Sequence, residues 1–77
     1  MISKPKSQLI PSTPGSYQFK DAFGRVIYVG KAKVLRSRIN SYFQPMDRLH
    51  ARTQQMIQEA ESVEWIQVQN EVEALIL

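Results

Sequence analysis

The feature that most constrains this chain is a pair of tyrosine–glycine cassettes around a turn signal. Gly15-Ser16-Tyr17 precedes Asp21-Ala22-Phe23-Gly24, and Tyr28-Val29-Gly30 follows it. Residues 15–20 alternate in polarity and are bounded by Pro14-Gly15, the pattern of a half-buried strand. Arg25-Val26-Ile27-Tyr28-Val29 is rich in β-branched residues and forms the second strand of a hairpin. Gly24 supplies the positive φ that a short hairpin loop needs. The simplest register sets Lys20 opposite Arg25, which places Tyr17 directly across from Tyr28 on one face.

Around this hairpin the reading is α+β. Residues 1–14, with Pro5, Pro11 and Pro14, read as a loose arm docking through Leu9 and Ile10. A helix is expected from about Ala32 to Tyr42. Val34, Leu35, Ile39 and Tyr42 share one arc of it, with Phe43 at the edge. Arg38 falls in the middle of that arc, so it must find a partner for its guanidinium or reach out along its stem. Lys33, Arg36 and Asn40 lie on the far side. After Pro45, Asp47 is placed to cap a second helix to about Glu61, with Leu49, Thr53, Met56, Ile57 and Ala60 as its buried stripe. His50 stands alone and reads as a surface residue. Residues 62–69 form a third strand, with Val63 and Trp65 on one face and Ile66 and Val68 on the other. Asn70 and Glu73 then suit a capping box for a helix from Glu71 to Leu77. Because Val72, Leu75 and Ile76 are core-type residues, that helix reads as cut short and the chain as part of a longer protein.

Seventy-seven residues allow one small domain, in which a single core is marginal. No cysteine is present, so neither a disulfide nor a thiolate metal site can help. No apolar run approaches the length that spans a bilayer, and the start has no signal-peptide core. The net charge of +3 conceals an asymmetry. Residues 1–52 hold all ten Lys and Arg against Asp21 and Asp47, while residues 53–77 hold five Glu and no basic residue. A basic half of this kind suits an anionic partner such as nucleic acid.

Tyrosines beside cations suggest a specific chemistry. Phosphodiester hydrolysis needs a deprotonated water, positive charge on the developing phosphorane and a protonated leaving group. A tyrosine can relay or abstract a proton when a cation lowers its pKa, and an arginine can hold two phosphate oxygens with its planar fork. A divalent metal would need carboxylate oxygen, and the only carboxylates near the end of the chain, Glu71 and Glu73, suit a helix N-terminus equally well. Opposed tyrosines on a hairpin can also be simple packing. Gly15 and Gly30, at strand ends, would allow a ligand to approach the backbone closely.

Taken together, these residues resemble the GIY-YIG nuclease family. The resemblance rests on Gly15-Ser16-Tyr17, on Tyr28-Val29-Gly30 and on Arg38, eight residues beyond the second glycine. The run from Val26 to Lys33, Leu35, Ser41-Tyr42-Phe43 and the stretch from Asn70 to Leu77 are similar to the branch of the family found as the N-terminal endonuclease domain of UvrC-type excinucleases. The resemblance covers residues 9–77 and sets the nuclease-like part at 15–77, behind the arm of 1–14. It implies a three-stranded antiparallel sheet flanked by helices, and incision of damaged DNA on the 3′ side of a lesion in bacterial nucleotide excision repair. It also implies a cytoplasmic protein with Mg²⁺ or Mn²⁺ as cofactor. The implied partner is UvrB, the excinuclease component that holds the damaged DNA, with the rest of the UvrABC system. By match, Tyr28 activates water, Tyr17 assists, Lys31 sits near the phenol or touches phosphate, and Arg38 stabilises the scissile phosphate. Gly30, Lys33 and Arg36 line the DNA. Ser16 departs mildly from the usual Ile or Val. The family's metal-binding glutamate is expected directly after Leu77, so no metal ligand is assigned in this chain, and the chain alone is expected to cleave poorly. Another GIY-YIG nuclease, a non-catalytic nucleic-acid binding module and a purely structural interaction domain remain as alternatives.

Overall fold

The structure, a computed structural model, describes residues 2–68. The expected third helix, with Asn70, Glu71 and Glu73, lies outside the described residues. Strands β1 (Gly15–Lys20), β2 (Val26–Ala32) and β3 (Ser62–Gln67) form one antiparallel sheet in the order β2-β1-β3. Helices α1 (Leu35–Asn40) and α2 (Ala51–Glu59) lie between β2 and β3 in the chain. The architecture is the α+β sheet flanked by helices that the sequence predicts.

β1 is the central strand, and its alternation is complete: Gly15, Tyr17 and Phe19 are buried, while Ser16, Gln18 and Lys20 are half-buried. Phe19, Ile10, Leu35 and Ile39 are the largest fully buried side chains, with Ile57 and Ala60 of the α2 segment completing the same core.

The hairpin register differs from the simple expectation. Asp21, not Lys20, closes the loop on Arg25, through Asp21 N–H to the Arg25 carbonyl at 2.9 Å. Gly24, at φ 77°, takes the left-handed position. Ile27 is then an extra residue in β2, because Lys20 pairs with Val26 but Phe19 pairs with Tyr28. Each irregularity moves the register by one residue. Tyr17 therefore lies opposite Gly30, and Tyr28 opposite Phe19. A shift of two keeps Tyr28 on the face expected for it, since side chains alternate with period two.

Gly30 is needed for this arrangement. A Cβ there would fall inside van der Waals contact of the Tyr17 ring and hydroxyl. The close approach at Gly30 is thus made by the Tyr17 side chain. A Cβ at Gly15 would likewise meet the Ile66 carbonyl and the Leu35 side chain, so α1 and β3 both close onto this glycine.

The arm is not loose. It docks through Ile2 and Ile10, whereas Leu9 is 66% exposed. Its carbonyls also act as a helix cap. β2 runs on through Lys31 and Ala32, so α1 begins at Leu35, with Val34 as a cap residue that has no side chain able to accept. The free N–H groups of Leu35 and Arg36 donate to the Thr13 and Pro11 carbonyls at 3.0 and 3.1 Å. Arg36 adds Nε to the Ile10 carbonyl at 2.8 Å. The helix gives way to a 3-10 turn, Ser41–Phe43. α2 starts later than predicted: Asp47 sits in a 3-10 turn, and His50 is the N-cap, its Nδ1 accepting from Arg52 N–H at 3.3 Å.

Two outcomes follow for stability. Gly30→Ala forces the Tyr17 ring off its seat and should cost about 1–3 kcal/mol in chemical denaturation. Arg36→Ala removes a charge-assisted bond to the arm and should cost about 1–2 kcal/mol, while Arg38→Ala, at an exposed position, should leave the denaturation midpoint nearly unchanged.

Candidate active site

Three phenols meet above β1 and β2. Tyr17 comes from the middle of the central strand, Tyr28 from the edge strand and Tyr42 from the 3-10 turn after α1. The Tyr17 and Tyr42 hydroxyls are 2.6 Å apart. Ring centroids are 5.7 Å apart for Tyr17–Tyr42 and 6.2 Å for both Tyr17–Tyr28 and Tyr28–Tyr42. Phe19 supports the cluster from below, edge-on to Tyr42 at 5.0 Å. Trp65 of β3 pairs with Tyr17 on the side away from Gly30, so Tyr17 is held between a glycine and a tryptophan.

The three are unequal in exposure. Tyr17 is 3% exposed, Tyr42 is half-buried and Tyr28 is 42% exposed. Tyr28 is therefore the phenol that presents itself to solvent. Burial raises the pKa of Tyr17 above its ordinary 10.0; the bond from Tyr42 and the charge of Arg38 pull it down, and Tyr28 pushes it up. Burial also raises Tyr42, and its neighbours Tyr17 and Tyr28 act in the same direction. Either hydroxyl can donate in the Tyr17–Tyr42 bond.

The cations divide differently from the sequence reading. Arg38 is exposed rather than embedded in the apolar arc, its stem carrying the guanidinium out to solvent. It remains close enough to Tyr17 for its charge to favour the ionised phenol. Lys31 lies in β2 opposite Ser16, not on a helix. Strand alternation sends it to the face away from Tyr17 and Tyr28, so the cation that acts on Tyr17 is Arg38. Lys33 is exposed in the β2–α1 link, and Arg36 is the half-buried one, turned toward the arm. Sequence reasoning does not single out Tyr42 as a site residue. Its signal is its place beside Phe43 at the end of a helix that also carries Arg38, which periodicity alone reads as core.

Among the described residues the carboxylates are engaged elsewhere or stand apart, and no three His, Asp or Glu come together as metal ligands. Asp21 is engaged by the hairpin, accepting from the Phe23 and Arg25 N–H groups and from Arg25 Nε. Glu64 is paired with Lys20 at 2.8 Å on the opposite face of the sheet. The described residues therefore do not by themselves furnish a divalent-cation site.

Known proteins share both the sequence pattern and the fold. The model of the UvrC-like GIY-YIG domain matches residues 13–77. UvrABC system protein C of Beutenbergia cavernae is 60% identical over 74 residues, which make up 96% of this chain and 11% of that protein. The protein of the same name from Nocardia farcinica is also 60% identical over 74 residues, with the same shares covered. The chain thus spans about a tenth of the length of these curated relatives. Among solved structures, the GIY-YIG N-terminal endonuclease domain of UvrC from Thermotoga maritima, bound to its catalytic magnesium, superposes with a TM-score of 0.79 at 42% identity. That match covers 92% of this chain and 75% of the other.

The pKa directions give a testable pH dependence. Both Tyr17 and Tyr42 hold their protons more tightly folded than unfolded, so their contribution to stability is complete below pH 10 and is lost as pH rises above it. The denaturation midpoint should fall above pH 10 together with the ultraviolet signal of tyrosine ionisation. Tyr42→Phe should make that fall shallower.

Proposed function

We propose that this chain, which belongs to the family of UvrC-like GIY-YIG domains, is the catalytic face of a DNA endonuclease that cuts one strand 3′ of a lesion in nucleotide excision repair. The observation that carries this is the phenol cluster itself: Tyr17 and Tyr42 are joined hydroxyl to hydroxyl at 2.6 Å beside Tyr28, the one that meets solvent, with Arg38 exposed at the rim. The names of the relatives, UvrABC system protein C, and the magnesium-bound endonuclease domain from Thermotoga maritima support the same reading.

In this mechanism the Tyr28 phenol oxygen takes the proton of the attacking water as its own proton passes to solvent. The hydroxide adds to phosphorus, and the bond to the leaving deoxyribose oxygen breaks as that oxygen takes a proton from solvent water. Tyr17 and Tyr42 stay protonated because burial disfavours their charge. Tyr17 orients Tyr28 by packing against its ring, and the bond between the Tyr17 and Tyr42 hydroxyls fixes Tyr17 in place. Arg38 sets its planar fork on the scissile phosphate, where charge accumulates. Lys33 and Lys31 flank the backbone path from the two sides of the β2 end, and Gly30 acts by seating Tyr17. Arg36 serves mainly to clamp the arm.

Magnesium or manganese, when bound, would supply Lewis-acid charge to the phosphate; its carboxylate ligand comes from outside residues 2–68. The substrate is damaged duplex DNA. The partners are UvrB and the remainder of the UvrABC system, in the cytoplasm of a bacterium. Among the described residues no helix is long and apolar enough to cross a membrane.

The test is a nicking assay in Mg²⁺ or Mn²⁺ on DNA carrying a lesion or bubble, with folding checked by circular dichroism. It compares the chain alone with a form extended past Leu77 by the following segment of a relative. The chain alone should bind DNA with affinity that falls steeply as salt rises, and should nick poorly. In the extended form, Tyr28→Phe should lower nicking by about a hundredfold or more with binding kept. Arg38→Ala should lower nicking by about a hundredfold and weaken binding as well. Wild-type nicking by the extended Tyr28→Phe protein would refute the assignment of the base.

A further inference from the structure

The hairpin loop between β1 and β2 is rigidly built yet presents a large aromatic to solvent. Phe23 at its tip is 82% exposed. The loop beneath it is closed by Gly24 N–H to the Asp21 carbonyl at 3.0 Å and by Asp21 N–H to the Arg25 carbonyl at 2.9 Å. The Asp21 carboxylate then accepts from the Phe23 and Arg25 N–H groups, each at 2.9 Å, through one oxygen. Its other oxygen takes Arg25 Nε at 2.9 Å. That ion pair holds the Arg25 guanidinium 5.1 Å from the centroid of the Phe23 ring. Phe23 lies outside the hydrophobic core of the described residues, although these hydrogen bonds hold its loop in place.

From this geometry we infer that Phe23 and Arg25 form a stacking platform for an unpaired base of the DNA strand that enters the candidate active site. This inference deepens the endonuclease reading and rests on it. An aromatic ring with a guanidinium on one face leaves its other face free for a nucleobase, and such stacking is tolerant of sequence. Beyond its Nε bond to Asp21 the Arg25 side chain is 72% exposed, so the rest of its guanidinium can meet the adjoining phosphate. Beside the tip runs a groove of about 480 Å³ lined by Asp21, Phe23, Arg25, Val26, Ile27 and Glu59, among others. Glu59 of α2 repels phosphate, so the backbone passes on the Arg25 side. Intact duplex has no unpaired base to offer, so the platform favours a strand opened by damage or by a partner protein.

The experiment measures binding of the chain to two fluorescent probes of equal length and charge, an intact duplex and a duplex with an unpaired bubble, at one salt concentration. The proteins are wild type, Phe23→Ala, Phe23→Leu, Phe23→Trp and Arg25→Ala, with Arg38→Ala as reference. Phe23 is exposed, so its substitutions should leave the circular dichroism spectrum unchanged. The expected result is that Phe23→Ala and Phe23→Leu bind the bubble about tenfold more weakly and the duplex as wild type does. Phe23→Trp should restore bubble binding, and 2-aminopurine in the bubble should be quenched by wild type but not by Phe23→Ala. Bubble binding by Phe23→Ala within about twofold of wild type overturns the platform while leaving the endonuclease reading intact, provided Arg38→Ala still weakens binding to both probes. Equal retention by Phe23→Leu and wild type also overturns it, since a stacking site needs the ring. Failure of the wild-type chain to bind either probe overturns both readings.

Discussion

The seating of Tyr17 on Gly30 is the contact from which the rest of the site is built. β1 is the central strand, so its side chains have neighbours on both sides, and a tyrosine there needs room across one of them. The missing Cβ of Gly30 supplies that room on β2, while Trp65 of β3 fills the other side. With its ring laid toward the edge strand, Tyr17 is nearly removed from water, and its hydroxyl reaches Tyr42. Burial then dominates its titration. A cation alone would have drawn the phenol toward ionisation, but desolvation outweighs Arg38 and keeps the proton on.

The arm matters for the same site at one remove. α1 has only six residues and no side-chain N-cap, so it is too short to be stable through its own hydrogen bonds. Carbonyls of Pro11 and Thr13 satisfy its first N–H groups, and Arg36 ties it to Ile10. This helix carries Arg38, and Tyr42 follows in the turn at its end. A fixed helix therefore sets the guanidinium and the third phenol relative to the hairpin, with Leu35 and Ile39 anchoring it from the core side. The placement of the candidate site's side chains thus depends on a segment that carries none of them.

How far the site could be read in advance differs from residue to residue. Tyr17 and Tyr28 were legible because alternation assigns a face, and a register shift of two leaves that face unchanged. The same shift hid the real neighbour of Tyr17, since the irregularities at Gly24 and Ile27 depend on local turn geometry that polarity does not encode. Arg38 was legible as the cation of the helix, but its burial was not: a long stem lets its charge leave an apolar arc. Lys31 was expected, by family match, near the phenol or on the phosphate; pairing of Ala32 with Gly15 extends the strand, and alternation turns Lys31 to the face away from Tyr17. Asp47 was expected to cap α2, yet Gln54 donates to the Met46 and Leu49 carbonyls of the turn before it, and the helix starts at Ala51 with His50 as its cap.

By itself, the sequence determined the elements with strong periodicity, the sheet-and-helix class, the glycine positions and the two hairpin phenols. These follow from local rules: alternation, β-branching and the steric freedom of glycine act within a few residues. Tertiary structure decided which phenol is buried and which meets water, how Tyr42 joins them, and that arm carbonyls cap α1. Each of these depends on groups far apart in the chain meeting in space, as Tyr17 and Tyr42 do across 25 residues. Desolvation, the effect that orders the three phenols, exists only once the surrounding core has closed.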